Sequence, residues 1–139
     1  MAKKKTIAQE VESAAVLLQK LVRLKNADDN GYAQCVTCGV TRRWNDGMQG
    51  GHFITRVRVA TKLDPRNVHP QCSSCNGPRS KTGEVTINYT LFMEDKFGRD
   101  FVDNLILDSR KTKKYTRMEL EDIKDQFKKE IRFHECRIN

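Results

Sequence analysis

The sequence lacks any long hydrophobic run. No apolar stretch approaches the roughly 18 residues a membrane span needs, which excludes a membrane-spanning helix and leaves no expected membrane partner. Aromatic residues are scarce at 7%, and hydrophobic residues reach only 37%. That is thin material for a sandwich or barrel, although 139 residues suffice for one domain with a modest core. The basic start, Met-Ala-Lys-Lys-Lys, has no apolar segment behind it and so does not read as a secretory signal. A cytoplasmic location is expected, where cysteines serve more often as metal ligands or free thiols than in disulfides. There is no internal repeat and no low-complexity tract.

Charge and cysteine are present in quantity. The net charge is +8, and residues 31–83 carry eight basic against two acidic side chains, a local excess of +6. The same segment holds four of the five cysteines and two of the three histidines. A polyanion is the natural partner of such a patch, because each neutralised phosphate releases counterions. The plainer alternative is a solvated basic surface.

Apolar residues at Ile7, Val11, Ala14, Leu18, Leu21 and Val22 predict a helix over 6–26, ended by Asp28-Asp29-Asn30-Gly31. Short strand-like pieces follow at His52–Arg58 and Asn67–Gln71. Helices are expected over about 84–97, briefly around 101–106, and over 117–135, the last opened by a capping-box sequence from Thr116 to Glu119. The fold class is α+β, organised as an N-terminal helical arm (1–30), a cysteine-containing core (31–98) and a C-terminal helical extension (99–139), together one compact unit.

Cys35-Val-Thr-Cys38 and Cys72-Ser-Ser-Cys75 are two Cys-x-x-Cys knuckles. Each turns two thiolates toward one point, and two of them supply the four soft ligands of a tetrahedral structural zinc. Four reduced thiols, or redox pairs, are the competing reading. The 33 residues between Cys38 and Cys72 make the site the clamp at the base of an insert. Cys136 stands alone as a free thiol.

Within and just after that insert come Gly50-Gly51-His52-Phe53, then Asn67 five residues before the second knuckle, and Asn76 immediately after it. This order resembles the His-Asn-His, or ββα-metal, nuclease motif. The resemblance implies that His52 is the general base, Asn67 braces the hairpin, and Asn76 binds a catalytic divalent ion, magnesium or manganese. The chemistry is coherent by itself. An imidazole takes a proton near neutral pH, a divalent cation offsets phosphate charge, and an amide carbonyl is a hard ligand. Many members of that superfamily carry Asp or His before the base, where this chain has Gly51. His69, on the Asn67 side of the return strand by period two, is the first candidate to complete the ion's shell, with Asp46 and Glu84 as rivals.

Wider segments, Leu21–Ala27 with Cys35–Gly39, Gly51–Arg56, Arg66–Asn76 and Lys113–Leu120, resemble the NinG, or Rap, recombination proteins of lambdoid phages. That resemblance covers roughly residues 15–135 and implies a structure-specific endonuclease acting on branched DNA such as Holliday junctions and D-loops, in a phage-infected bacterial cell. The arrangement around the second knuckle is also similar to phage endonuclease VII, a dimer, so a homodimer is expected by analogy, with the amphipathic end helices as its motive. Arg56 and Arg58 alternate with Val57 and Val59 and are expected to face DNA from a strand. Lys62, Arg66, Arg79 and Lys81 are expected to join them as phosphate contacts. Two other functions remain open: a non-catalytic zinc-containing DNA-binding module, and a nicking or homing-type nuclease on ordinary duplex.

Overall fold

The computed structural model describes residues 3–138 and is an α+β arrangement of six helices and four short strands among those residues. Helix α1 (Ile7–Lys25) opens with a complete capping box: Gln9 N–H donates to the Thr6 hydroxyl, and the Thr6 N–H donates to the Gln9 side chain. Its apolar face, from Val11 to Leu24, is buried. The partner is the last helix, α6 (Arg117–Arg137), whose Leu120, Phe127 and Ile131 close the same core. The ion pairs Lys124–Glu10 and Lys20–Glu135 show that the two helices run in the same direction. Arg137 then donates to the carbonyls of Leu24 and Ala27, both at 3.0 Å, satisfying the C-terminal end of α1. The apolar faces that motivated a dimer therefore cover one another within a single chain. At α6 only half of the expected capping box forms: Thr116 accepts from Glu119 N–H, while the Glu119 carboxylate pairs with Lys113.

Between these helices lie two antiparallel hairpins. The first joins β1 (Tyr32–Gln34) to β2 (Thr41–Arg43) around the first knuckle. The second joins β3 (Met48–His52) to β4 (Val68–Cys72), with Met48 opposite Cys72, Gly51 opposite His69 and His52 opposite Val68. Two adjacent glycines make the second hairpin possible. A Cβ on Gly50 would lie 2.6 Å from the Gln19 Cα, so only glycine lets α1 rest on the strand. A Cβ on Gly51 would lie 1.8 Å from the Gln71 Oε1, so the Gln71 side chain fills the space a residue at 51 would need.

The segment expected as a strand through Arg58 is instead a loop, followed by the single-turn helix α2 (Val59–Lys62). Val57 is 81% exposed and does not face the core. Four residues of alternation are too few to specify a strand without a pairing partner. A short 3-10 turn (Pro65–Asn67) leads into β4, which continues into α3 (Ser73–Asn76). Helix α4 (Gly83–Phe97) then covers the hairpin, with the buried Tyr89 hydroxyl donating to the Gly51 carbonyl at 2.7 Å. Helix α5 (Arg99–Ser109) packs on α4 through Val102 and Leu105. No helix among the described residues is long and apolar enough to cross a membrane.

Candidate metal centre and active-site cleft

The four knuckle cysteines converge. Their sulfurs all lie within 4.8 Å of one another, and Cys38 Sγ and Cys72 Sγ are 3.7 Å apart. A tetrahedron with metal–sulfur bonds of about 2.3 Å has sulfur–sulfur edges of roughly 3.8 Å, so the cluster is already close to the size zinc requires. Cys35, Cys72 and Cys75 are buried, and Cys38 is at the surface. The two knuckles are tied together by backbone, Val36 N–H donating to the Pro70 carbonyl at 2.9 Å. Burial pushes the Cys35 thiol up, but hydrogen bonds from the Thr37 hydroxyl and from backbone N–H groups outweigh it and bring it to about 6. Burial pushes Cys75 up to about 12. One thiolate thus forms readily while its neighbour resists, and a cation among the sulfurs removes that conflict. The four cysteines are arranged to hold a metal ion, with the donor set of a structural zinc site.

His52 closes the far end of β3. Its Nε2 lies 2.9 Å from the Lys62 carbonyl. A carbonyl only accepts, so Nε2 carries the proton and Nδ1 keeps the lone pair. Burial lowers the pKa of the ring, with the nearby charges of Arg56 and Lys62 adding to it, so the imidazole is neutral at neutral pH. Nδ1 has no hydrogen-bond partner among the described residues.

Asn67 is fully buried and straps the loop that follows His52. Its Oδ1 accepts from Ile54 N–H at 2.7 Å, and its Nδ2 donates to the carbonyls of Ile54 at 3.0 Å and Thr61 at 3.2 Å. Asn76 ends α3, partly exposed, and donates through Nδ2 to the Gln49 Oε1 at 2.9 Å. A small cavity of about 100 Å³ brings His52, Gln71 and Asn76 together, with Tyr89 and Cys75 also in its wall.

His69 is not brought to that cavity. It is 6% exposed, its Nε2 lies 2.9 Å from the Arg66 carbonyl, and its ring packs against Phe92, Phe97 and Tyr89. It lines a different cavity, about 280 Å³, alongside Lys25, Arg66 and Lys96. Burial lowers its pKa to about 4, against the pull of the Arg66 carbonyl. Asp46 is exposed in the turn before β3, and Glu84 pairs with Arg79 at 3.4 Å. None of the three lines the His52 cavity.

Of the six basic residues expected at phosphates, four are engaged in ion pairs. Lys62 meets Glu12 at 2.7 Å, Arg56 binds the same carboxylate, Arg66 sits between Asp64 and Asp108, and Arg79 holds Glu84. Arg58 and Lys81 are exposed. Sequence reasoning missed Glu12, Gln49, Gln71 and Tyr89. Glu12 gives no local signal, and Gln71 becomes meaningful only once the hairpin register sets its side chain over Gly51.

No solved structure matches the chain. A curated relative, Protein ninG of Salmonella phage P22, is 27% identical over 101 residues, covering 70% of this chain and 46% of its own length, so the chain spans about half of that relative. The family described as Bacteriophage Lambda NinG protein matches over residues 2–136, nearly the whole sequence, and this chain belongs to the NinG family.

Proposed function

We propose that this protein is a zinc-stabilised, divalent-metal-dependent DNA endonuclease of the His-Asn-His type that hydrolyses phosphodiesters in branched recombination intermediates. The observation that carries the reading is His52: a neutral imidazole, oriented by one carbonyl, with its other nitrogen unpartnered and its side chain at the cavity that holds Asn76. The β3–β4 hairpin followed by α3 supports a ββα-metal core, and the NinG relationship supports branched DNA as substrate.

The residues fit a hard divalent ion. Asn76 spends its amide N–H on Gln49, leaving its carbonyl oxygen for a cation. When bound, that ion supplies charge neutralisation at the phosphate and the leaving oxygen. His52 Nδ1 accepts a proton from the attacking water, and the Nε2–H bond to Lys62 steadies the imidazolium that results. Asn67 keeps the His52 loop in place through backbone bonds alone.

One observation favours a non-catalytic DNA-binding module: the cavity wall contains no carboxylate. The deciding experiment incubates the protein with a labelled four-way junction and magnesium or manganese, beside His52→Ala. Loss of a general base lowers the rate by about 10²- to 10⁴-fold. Equal cutting by both proteins refutes the assignment, and equal cutting of junction and linear duplex refutes branch selectivity.

A further inference from the structure

A hard ion held by Asn76 alone among protein groups is poorly anchored, and the residue before His52 offers no side chain. Gln71 occupies the vacant place. Its Oε1 lies 1.8 Å from where a Gly51 Cβ would sit, so the amide projects from the neighbouring strand into the volume a side chain at 51 would take. With the Thr37 hydroxyl proton directed at Cys35 Sγ, the Thr37 oxygen accepts from Gln71 Nε2 at 3.3 Å and Oε1 is the free end. The residue is 3% exposed, and among the described residues Oε1 has no hydrogen-bond partner. The oxygen is not sealed in by the fold: it opens onto a space from which water or a cation can reach it. That space is the cavity of about 100 Å³ shared with His52 and Asn76, large enough for an ion and a few waters.

We propose that Gln71 is a ligand of the catalytic divalent ion, its Oε1 taking from the adjacent strand the part that a side chain at position 51 cannot take. This inference rests on the nuclease reading above. Two neutral amide oxygens bind a hard cation weakly, so the ion keeps most of its waters and gains its remaining ligands from the DNA phosphate. The centre therefore loads when substrate is present. Thr37 links the two sites: its hydroxyl receives the Gln71 amide and lies 3.3 Å from Cys35 Sγ, so the cysteine cluster positions the Gln71 oxygen.

The test measures manganese affinity by electron paramagnetic resonance on protein–junction complexes in a His52→Ala background, which keeps the DNA intact. Gln71→Leu removes the oxygen and is expected to weaken manganese binding at least tenfold. Gln71→Glu keeps the shape and adds charge, and is expected to tighten it at least tenfold. Zinc content and circular dichroism confirm that each variant is folded; should Gln71→Leu not fold, the tightening by Gln71→Glu carries the test. Affinities within twofold of the parent, or a loss in both variants alike, overturn the assignment of Gln71 as a ligand. Junction cutting by the otherwise unaltered protein with manganese is scored in the same buffer. If it cuts while the Gln71 variants bind manganese as the parent does, only this inference falls; if it neither cuts nor binds manganese, the nuclease reading falls with it.

Discussion

The β3–β4 hairpin is held by different means at its two ends. At the Cys72 end, sulfurs from two knuckles far apart in sequence meet within 4.8 Å of one another, and the first knuckle hangs on β4 through the Val36–Pro70 backbone bond. At the His52 end the ties are hydrogen bonds, with the Glu12–Arg56–Lys62 ion-pair cluster beside them. One buried amide, Asn67, makes three bonds to the backbone of the following loop, and the His52 ring makes one. The cysteine end uses every donor it has on a single point. The histidine end leaves three lone-pair atoms unspent, the Nδ1 of His52 and the carbonyl oxygens of Gln71 and Asn76, around one cavity. The two ends of a strand pair five residues long thus differ: one gathers sulfurs at a point, the other leaves polar atoms open to a cavity.

Removing the metal is the strongest way to break this contrast. Structural zinc in small domains supplies on the order of 10 kcal/mol of folding free energy. A strong chelator, or paired Cys35→Ser and Cys75→Ser substitutions, is expected to abolish the cooperative unfolding transition of the hairpin region. Circular dichroism and hydrogen exchange read this directly: persistent protection of β3 and β4 in chelator would show that the cysteine cluster is dispensable.

The complementary change strikes the other end. Asn67→Ala removes a buried amide and orphans the Ile54 N–H with two carbonyls, a loss of about 2–4 kcal/mol. Zinc content is expected to stay at its original level while junction cutting disappears. Loss of zinc together with cutting would mean that the two ends are one cooperative unit.

How far these two ends could be read without coordinates differs for a physical reason. The helices α1, α4 and α6 and both knuckles were legible, because a 3.6-residue periodicity and a two-residue cysteine spacing are local signals. A motif singled out Asn67 and His52, whose chemical roles belong to the proposed function. The loop 53–58 was not, since Val57 and Val59 imitate a strand and only the absence of a pairing partner shows otherwise. Gln71 and Gly51 become one feature only through register. The Glu12 clamp on Arg56 and Lys62 joins residues 44 and 50 positions apart, beyond the reach of any local pattern.

His69 sharpens the comparison from the protein interior. Its neighbours are the rings of Tyr89, Phe92 and Phe97, with Lys96 and Lys25 supplying like charge. Burial lowers its folded-state pKa to about 4, below the ordinary histidine value of 6.5. The unfolded chain therefore binds the proton first. The contribution is fully present above about pH 6.5 and is lost as pH falls toward 4, by roughly 3 kcal/mol at the limit. His69→Phe gives up the bond to the Arg66 carbonyl, about 1 kcal/mol at pH 7.5, but its stability falls less steeply through that window. Parallel pH profiles for the two proteins would refute the interior placement. Unchanged manganese affinity in this variant would separate His69 from the cavity of Asn76 and Gln71.

The smallest expected effect concerns the surface beside His52. Glu12 is half exposed, and a hydrogen bond from Lys62 holds its carboxyl below the ordinary value despite the opposing effect of burial. Such exposed pairs contribute little, so Glu12→Gln should change stability by no more than about 0.5 kcal/mol. Its effect on binding has the opposite sign from a loss of structure. Freed from the carboxylate, Arg56 and Lys62 become available to phosphates, and each new phosphate contact steepens the dependence of log affinity on log salt by about 0.9. The variant is therefore expected to bind junction DNA a few-fold more tightly at low salt, with a slope steeper by roughly one to two, an advantage that disappears at high salt. Fluorescence anisotropy across a salt series measures both quantities. An unchanged slope would mean that the Glu12 clamp belongs to the scaffold of the His52 loop and that Arg56 and Lys62 do not contact the DNA backbone. A steeper slope would make Glu12 an internal competitor of the phosphate, placed where the histidine end of the hairpin meets its substrate.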